Sequence, residues 1–193
     1  MKIKYLGHSC FLINSNDYLL VIDPFKDVNG FKDIDLVANE VVCSHSHLDH
    51  AYIEGVKVIA KDNSPFTINK IGTYHDNENG SKRGLNDINI INAEGKRIVH
   101  LGDLGHLLND EIVKLLKEVD VLMIPIGGFY TIDTNDALEI IKKINPKIII
   151  PMHYKDNGKG LDVLEDIDSF VLKAKDYQDR LKLVKGYNQE IEI

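Results

Sequence analysis

One short segment gathers most of the side chains that could do chemistry. His45, His47 and His50 surround Asp49 in the order His-Ser-His-Leu-Asp-His. Because His45 and His47 are two positions apart, both imidazoles can point the same way in an extended turn. Asp49 and His50 follow where the chain bends, so their side chains can reach a second ligand position close to the first. Imidazole and carboxylate together suit Zn²⁺, Fe²⁺ or Mn²⁺, so the segment predicts a metal site.

Further ligands are expected elsewhere, since four side chains do not complete two metal ions. Asp103 follows an apolar run inside a Gly-Asp-Leu-Gly segment, and His153 ends another apolar run. In α/β proteins, ligands bind beyond the ends of strands, which is where both residues stand. The remaining candidate ligands are His8, His75, His100, Asp103, His106 and His153.

The elements that must position these side chains change character along the chain. Short β-branched runs predict strands in the first half, at 3–6, 10–13, 18–22, 41–44, 56–60, 66–74, 88–91 and 98–101. In the second half, helical spacing predicts helices over 109–119, 134–144 and 161–174, with Asn109 capping the first. Strands at 121–125, 148–151, 181–184 and 189–193 alternate with them. This alternation predicts an α/β fold in a single domain over 1–193.

Composition narrows the classes of function. The 193 residues include 23 basic and 30 acidic side chains, with a formal net charge of −7. An acidic protein is a poor match to nucleic acid, whose phosphates attract basic surfaces. No apolar run approaches the roughly 18 residues of a membrane span, and the N-terminus lacks the apolar core of a signal peptide. Cys10 and Cys43 lie in apolar runs, as expected of reduced, buried thiols in a cytoplasmic protein. Together with the acidic charge and the lack of long apolar runs, this predicts a cytoplasmic protein without nucleic-acid or membrane partners.

The order of these segments resembles the metallo-β-lactamase superfamily of metal-dependent hydrolases. The resemblance rests on His-x-His-x-Asp-His, then a lone His, then Gly-Asp, then a late His at a strand end. The segments 6–11, 22–25, 100–103, 125–128 and 151–154 are similar to its small branch of L-ascorbate 6-phosphate lactonase-like proteins. This resemblance implies an αββα four-layer sandwich, in which two mixed sheets carry outer helices and hold a two-metal site along one edge.

The same resemblance implies a role for each candidate ligand. The first metal would bind His45, His47 and His75, and the second metal would bind Asp49, His50 and His153. Asp103 would bridge the two metals. Zn²⁺ is the preferred ion, with Mn²⁺ or Fe²⁺ as alternatives. Two such ions ~3.5–4 Å apart share a water and lower its pKa from ~15.7 toward ~7. The resulting bridging hydroxide would hydrolyse a small ester, lactone or phosphate-bearing metabolite, with Asp49 and Asp103 as catalytic carboxylates.

Three further residues are candidates for supporting roles. Asp23 matches a family aspartate that would orient a ligating imidazole. His8 is either a site residue or a buried core histidine, and His106 either overlooks the site or is an exposed loop residue. Side chains alternate along a strand, so His100 should point away from Asp103, which favours His75 as the remaining ligand.

Candidate substrate contacts follow two of these ligands. Lys82 and Arg83 lie in the Asn/Gly-rich loop after His75, where they could bind an anionic group or simply be solvated. Tyr154 directly follows His153 and is preferred over Tyr130 as a residue of the pocket.

Two other classes of function stay open. A phosphodiesterase or nuclease of the same superfamily would need a basic track along the groove. A non-catalytic metal-binding module would keep the ligands but lack a cleft of substrate size. The terminal run 189–193 is also a candidate for strand pairing across a homo-oligomer.

Overall fold

The computed structural model describes residues 1–184 and 187–193. Its strands, in chain order, are β1 (Lys2–Gly7), β2 (Cys10–Ser15), β3 (Tyr18–Ile22), β4 (Leu36–Ala38), β5 (Glu40–Val42), β6 (Val56–Val58), β7 (Thr67–Tyr74), β8 (Leu85–Ala93), β9 (Lys96–His100), β10 (Val121–Pro125), β11 (Ile148–Met152) and β12 (Glu190–Glu192). Its α-helices are α1 (Asp110–Leu115), α2 (Thr134–Ile144) and α3 (Ile167–Lys173). No helix in these two ranges is long and apolar enough to cross a membrane.

Two five-stranded mixed sheets form the centre of the molecule, which confirms the predicted fold class. The first sheet has the order β12-β1-β2-β3-β5, antiparallel except for the parallel pair β3–β5. The second has the order β11-β10-β9-β8-β7, in which β9, β10 and β11 are parallel and the other pairs antiparallel. Parallel strands direct their carboxyl ends to one edge, and the candidate ligands follow these ends.

The core lies between the two sheets. Alternate side chains of β1 are buried, including Ile3 and Tyr5, as expected of a strand with one face on a core. Every residue of β10 is buried, because helices cover the other face of the second sheet. The helix α2 has the bounds that its spacing predicts, and Ala137, Ile140 and Ile141 face this core.

Helix ends are fixed by side-chain caps. The side chain of Asn109 accepts from the backbone N–H of Ile112, so the predicted cap of α1 is correct. The third helix begins at Ile167, later than the predicted residue 161, because Asp166 caps it by accepting from the N–H of Ser169. The residues between β11 and Asp166 form a loop.

The outer layer of the first sheet differs from the implied helical layer. The described α-helices all belong to the second half of the chain. Phe25, Val28 and Ile34, from the segment between β3 and β4, pack on Cys10 and Val21 of the sheet. The parallel pair β4–β6 extends this cover. Hydrophobic loop residues therefore replace an α-helix on this side.

The C-terminal segment departs from prediction in one place. The run 181–184 is not a strand, and only Leu181 makes a single bridge, to Ile149. Leu183 has φ +55, which interrupts an extended run. The last strand, β12, pairs antiparallel with β1 of its own chain. Pairing across a homo-oligomer stays a prediction.

Candidate metal centre

The ends of several strands meet at one edge of the two sheets. The strand β5 ends at Val42, and the following turn carries the His-Ser-His-Leu-Asp-His segment. The strands β7, β9 and β11 end shortly before His75, Asp103 and His153, and β1 ends directly before His8. Short connections from rigid strands thus position each candidate ligand.

All seven candidate ligands lie in one cluster, and His8 joins them. Their ligand atoms form three overlapping groups, in each of which the atoms lie within 4.8 Å of one another. The groups are His45, His47 and His75; His8, Asp49, His50 and His153; and His45, His50 and Asp103. The cluster therefore has two ends with a shared middle.

Asp103 lies in this middle. Its Oδ2 is 3.1 Å from Nε2 of His50, 3.2 Å from Nε2 of His153 and 3.4 Å from Nε2 of His75. Because these imidazoles belong to both ends of the cluster, one carboxylate faces both. Its other oxygen, Oδ1, is buried and has no hydrogen-bond partner among the described residues.

Buried Asp23 fixes two of the imidazoles. Its Oδ1 accepts from the N–H of Ser44 at 2.7 Å, and its Oδ2 accepts from the Ser44 hydroxyl at 2.6 Å and from Nδ1 of His50 at 2.9 Å. With its own proton donated to Asp23, the Ser44 oxygen accepts from Nδ1 of His45 at 2.9 Å. Both imidazoles therefore carry a proton on Nδ1 and turn Nε2 toward the cluster. Sequence reasoning missed Ser44, a common loop residue whose role depends on Asp23 lying beside it.

Burial and charge determine which groups are protonated. Desolvation lowers the pKa of His45 to about 3 and that of His8 to about 4, so both are neutral at pH 7. Desolvation also lowers the pKa of His50, but the carboxylates of Asp103 and Asp23 outweigh it and raise that pKa well above its ordinary value. The centre thus combines neutral imidazoles with carboxylates that favour positive charge.

His8 contacts the cluster through its ring and its backbone. Its Nε2 lies 3.3 Å from Oδ2 of Asp49, and its ring centroid is 4.3 Å from that of His153. Its carbonyl accepts from the N–H of His153 at 2.8 Å and from the Tyr5 hydroxyl at 2.8 Å. Of the two roles considered for His8, the geometry supports a site residue.

Two other histidines lie outside the cluster. Nε2 of His100 faces the Ser9 carbonyl at 2.9 Å, and its Nδ1 accepts from the N–H of Gly102 at 3.1 Å, so both nitrogens are engaged between the sheets. Nε2 of His106 accepts from the N–H of Tyr74 at 3.3 Å, and its Nδ1 donates to a backbone carbonyl. The interpretation that His106 overlooks the site is therefore wrong, because its ring supports a strand end instead.

The backbone at Asp103 is held by a side chain that the sequence does not reveal. Buried Asn86 accepts from the N–H of Asp103 at 2.8 Å and donates to Oγ1 of Thr73. Gly102 has φ +58, and a Cβ there would lie 2.2 Å from Oδ1 of Asn86 and 2.6 Å from Cβ of Ser44. Only glycine fits where the loops that carry Ser44 and Asp103 meet.

A cleft of about 290 Å³ opens onto the cluster. Its wall consists of His47, Asp49, His75, Arg83, Asp103, Tyr130, His153 and Leu161. A larger cavity, of about 450 Å³, lies over the outer side of the first sheet and contains no cluster residue. The smaller cleft is therefore the candidate substrate site.

The two basic candidates for substrate contact, Arg83 and Lys82, lie in different surroundings. Arg83 is half-buried in the cleft wall, and its Nη2 donates to the Phe129 carbonyl at 3.1 Å. Lys82 is exposed, forms an ion pair with Glu78 and is not part of the wall. The prediction that Lys82 contacts substrate is thus wrong, because its charge is already paired on the surface.

Tyr154 also lies elsewhere than predicted. It is 1% exposed and packs against Tyr5 and Tyr187, away from the cleft. His153 has φ +53, which breaks the extended backbone and returns the next side chain to the core. Tyr130, the alternative considered for Tyr154, lines the cleft instead.

The side chains present fit a divalent transition metal. Nε2 of His45 and Oδ1 of Asp103 are buried without a hydrogen-bond partner in the described ranges. An unsatisfied buried polar atom costs about 1–3 kcal/mol, so two in one cluster call for a common partner. Imidazole nitrogen and carboxylate oxygen are ligands of Zn²⁺, Fe²⁺ and Mn²⁺.

Comparison with known proteins gives consistent matches. A family model described as "Beta-lactamase superfamily domain" matches residues 2–153. A metal-dependent hydrolase from Desulforamulus reducens is 31% identical, covering 80% of this chain and 84% of the relative. A Thermotoga maritima structure, described as a Zn-dependent hydrolase of the metallo-β-lactamase superfamily, is 33% identical with a TM-score of 0.70, covering 89% of this chain and 84% of that chain. The isothiocyanate hydrolase from Delia radicum gut bacteria shares the fold alone, at 12% identity and a TM-score of 0.73 over 100% of this chain and 99% of that chain.

Proposed function

The chain belongs to the metallo-β-lactamase superfamily of metal-dependent hydrolases, and from this premise we propose that its cluster holds two divalent metal ions and hydrolyses a small metabolite. The observation that carries the proposal is the position of Asp103. One carboxylate oxygen lies 3.1–3.4 Å from imidazoles at both ends of the cluster. A carboxylate in that position is suited to join two cations.

Each ligand then has a role. We assign one metal to His45, His47 and His75, and the other metal to Asp49, His50 and His153. Asp103 takes the position shared by both metals. Zn²⁺ is the ion that we propose first, since it accepts mixed imidazole and carboxylate ligands in compact sites. When bound, such ions supply the charge that activates a water and polarises a scissile carbonyl or phosphoryl group.

Asp49 is the more exposed of the two carboxylates in the cleft wall. Burial raises its pKa, but the hydrogen bond with His8 and the charge of His50 outweigh this effect and hold that pKa below its ordinary value. Asp49 is therefore ionised at pH 7, and its contact with His8 at 3.3 Å fixes its orientation. A carboxylate in the cleft wall can orient the attacking water by accepting a hydrogen bond from it.

The cleft favours a small substrate over a nucleic acid. A volume of about 290 Å³ is close to the lower end of small-molecule sites. Arg83 is the only lysine or arginine in the described wall, beside two carboxylates, so no basic track supports a nuclease. We propose a small ester or lactone, or a phosphate-bearing metabolite, as expected of the lactonase-like branch.

A screen of the metal-loaded protein against lactones, esters, thioesters, phosphodiesters and phosphorylated sugars tests this function. The variant Asp103→Asn should lower kcat/KM for any substrate found by at least about 100-fold, because charge stabilisation by the shared site is lost. The matched control is Asp120→Asn, which removes a carboxylate that pairs with Lys147 away from the cluster. Hydrolysis by Asp103→Asn at the wild-type rate would contradict the proposal.

A further inference from the structure

Arg83 is a cation at the mouth of the cleft without a carboxylate partner. Within the described residues, no carboxylate oxygen lies within 4.0 Å of its guanidinium, in a chain of net charge −7. Its Nη2 donates to the neutral Phe129 carbonyl, and its Cζ lies 5.4 Å from the centroid of the Tyr130 ring. One donor of the guanidinium is thus engaged out of five.

The other two arginines of the chain donate to the ends of helices, which Arg83 does not. Nη2 of Arg97 donates to the carbonyl of Leu115, the last residue of α1. Nη1 of Arg180 donates to Oδ1 of Asn145, the C-cap of α2. Both therefore stabilise the C-terminal end of a helix. Arg83 contacts a loop instead, so helix capping does not explain it.

The loop before Arg83 is built around one carboxylate. Asp76 accepts from four backbone N–H groups, those of Glu78, Gly80, Lys82 and Arg83, at 2.8–3.0 Å. These bonds fix the loop on the end of β7, so the Arg83 backbone is held in place. A rigid backbone lowers the entropy that a side chain loses when it binds a ligand.

Two aromatic residues, Phe129 and Tyr130, lie next to Arg83. Phe129 is 65% exposed and has φ +43, an uncommon conformation for a residue with a large side chain. Its ring packs edge-on against Tyr130 with centroids 4.8 Å apart. A ligand that binds Arg83 in the cleft therefore lies beside the Tyr130 ring, which is also part of the wall.

We propose that Arg83 binds a carboxylate group of the substrate, next to the Tyr130 ring and away from the bond that is hydrolysed. A guanidinium can donate two parallel hydrogen bonds to a carboxylate while it stacks on an aromatic ring. Its single charge matches a monoanion, whereas the neighbouring Lys82 is engaged by Glu78 and adds no second charge for a phosphate dianion. This inference rests on the proposed hydrolysis and narrows its substrate to a carboxylate-bearing ester or lactone.

Two acetate esters that differ in one substituent, charged in the first and neutral in the second, test the inference by kinetics, with release of the acetyl group as the measured reaction. The Zn²⁺-loaded protein is assayed with 4-acetoxybenzoate and with its neutral methyl ester, and the ratio of their kcat/KM values is measured. Arg83→Gln should lower this ratio by about 10- to 100-fold, since a hydrogen bond to a charged group is lost. Lys82→Gln, the matched control in the same loop, should keep the wild-type ratio, and Arg83→Lys should give an intermediate value.

A binding measurement gives a readout that is independent of activity. The chain has three arginines, so ¹⁵N-arginine labelling gives three Nε–H signals, and Arg83→Lys assigns one of them. The amide 4-acetamidobenzoate should shift the Arg83 signal and leave those of Arg97 and Arg180 in place. The neutral 4-acetamidobenzamide should shift none of them.

The outcomes separate this inference from the proposed function. If neither ester is hydrolysed but the Arg83 signal responds to the carboxylate alone, the binding role stands and the hydrolysis of these esters is refuted. If hydrolysis occurs with a ratio that Arg83→Gln does not change, or if the Arg83 signal ignores the carboxylate, Arg83 only ties two loops together and the inference is overturned. Should Arg83→Gln fail to fold, the titration of the wild-type protein decides.

Discussion

Replacing Asp23 by asparagine should weaken metal binding without any change in a ligand. The carboxylate accepts three hydrogen bonds, two from Ser44 and one from Nδ1 of His50. In Asp23→Asn the amide NH₂ group faces two donors, so the bond to His50 is lost unless that ring changes tautomer. A changed tautomer would place a proton on Nε2, the atom that faces the cluster, and block it as a ligand.

The expected magnitude follows from these contacts. Removing an outer partner of a ligating histidine costs about 10- to 100-fold in metal affinity. A hydrogen bond to a charged group contributes about 1.5–3 kcal/mol and a neutral one about 0.5–1.5 kcal/mol. The loss of one charged bond costs about 1.5–3 kcal/mol, and making the other two bonds neutral costs about 1–1.5 kcal/mol each. Asp23→Asn should therefore lower the unfolding free energy of the metal-free protein by about 3.5–6 kcal/mol.

Chelator competition measures the metal affinity, and denaturant unfolding of the metal-free protein measures the stability. The matched control is Asp120→Asn, whose carboxylate accepts from the Arg97 N–H and pairs with Lys147 away from the cluster. This control should lose stability and keep wild-type metal affinity. If Asp23→Asn also keeps wild-type affinity while it loses stability, Asp23 serves folding alone and the reasoning is refuted.

Two further predictions concern the support and the charge of the centre. Gly102→Ala should lower the unfolding free energy by at least about 2 kcal/mol, because a Cβ would lie 2.2 Å from Oδ1 of Asn86 and the backbone at this position is left-handed. Denaturant unfolding measures this loss, and a variant with wild-type stability would contradict the prediction. Zn²⁺ binding at pH 7 should release about one proton, since the raised pKa of His50 keeps it protonated in the metal-free protein, and calorimetry in buffers of different ionisation heat counts it. Metal affinity should therefore rise with pH up to that pKa. The protonated ring of His50 stabilises the metal-free protein fully below pH ~6.5, and this stability is lost as pH rises through the higher pKa of the folded state. A metal affinity that does not change with pH would refute the assignment of the proton to His50.

The candidate ligands were predictable because each stands where an apolar run stops. His75 follows β7, Asp103 follows β9 and His153 follows β11, so the strand ends made these residues candidates, and the family resemblance assigned them to one site. The supporting contacts were not predictable in this way. Ser44 and Asn86 are ordinary polar residues, 21 and 17 positions from the aspartates that they contact, and only the folded chain brings these pairs together.

Local backbone conformation explains the wrong predictions. Periodicity assumes a regular strand, and the left-handed backbone at His153 and Leu183 breaks that assumption. For this reason Tyr154 turned into the core and the strand predicted at 181–184 did not form. The orientation of the His106 ring is set by its hydrogen bond from the Tyr74 N–H. This contact joins a loop and a strand end that sequence spacing does not relate.

Counting bound metal tests the central claim most directly. After reconstitution at fixed free Zn²⁺, elemental analysis should find close to two equivalents in the wild-type protein and in His106→Ala, whose ring lies outside the cluster. His75→Ala should retain about one equivalent, because it removes one end ligand and leaves the other end intact. A wild-type protein that folds but never exceeds trace metal, or a His75→Ala variant that keeps both equivalents, would contradict a dinuclear site.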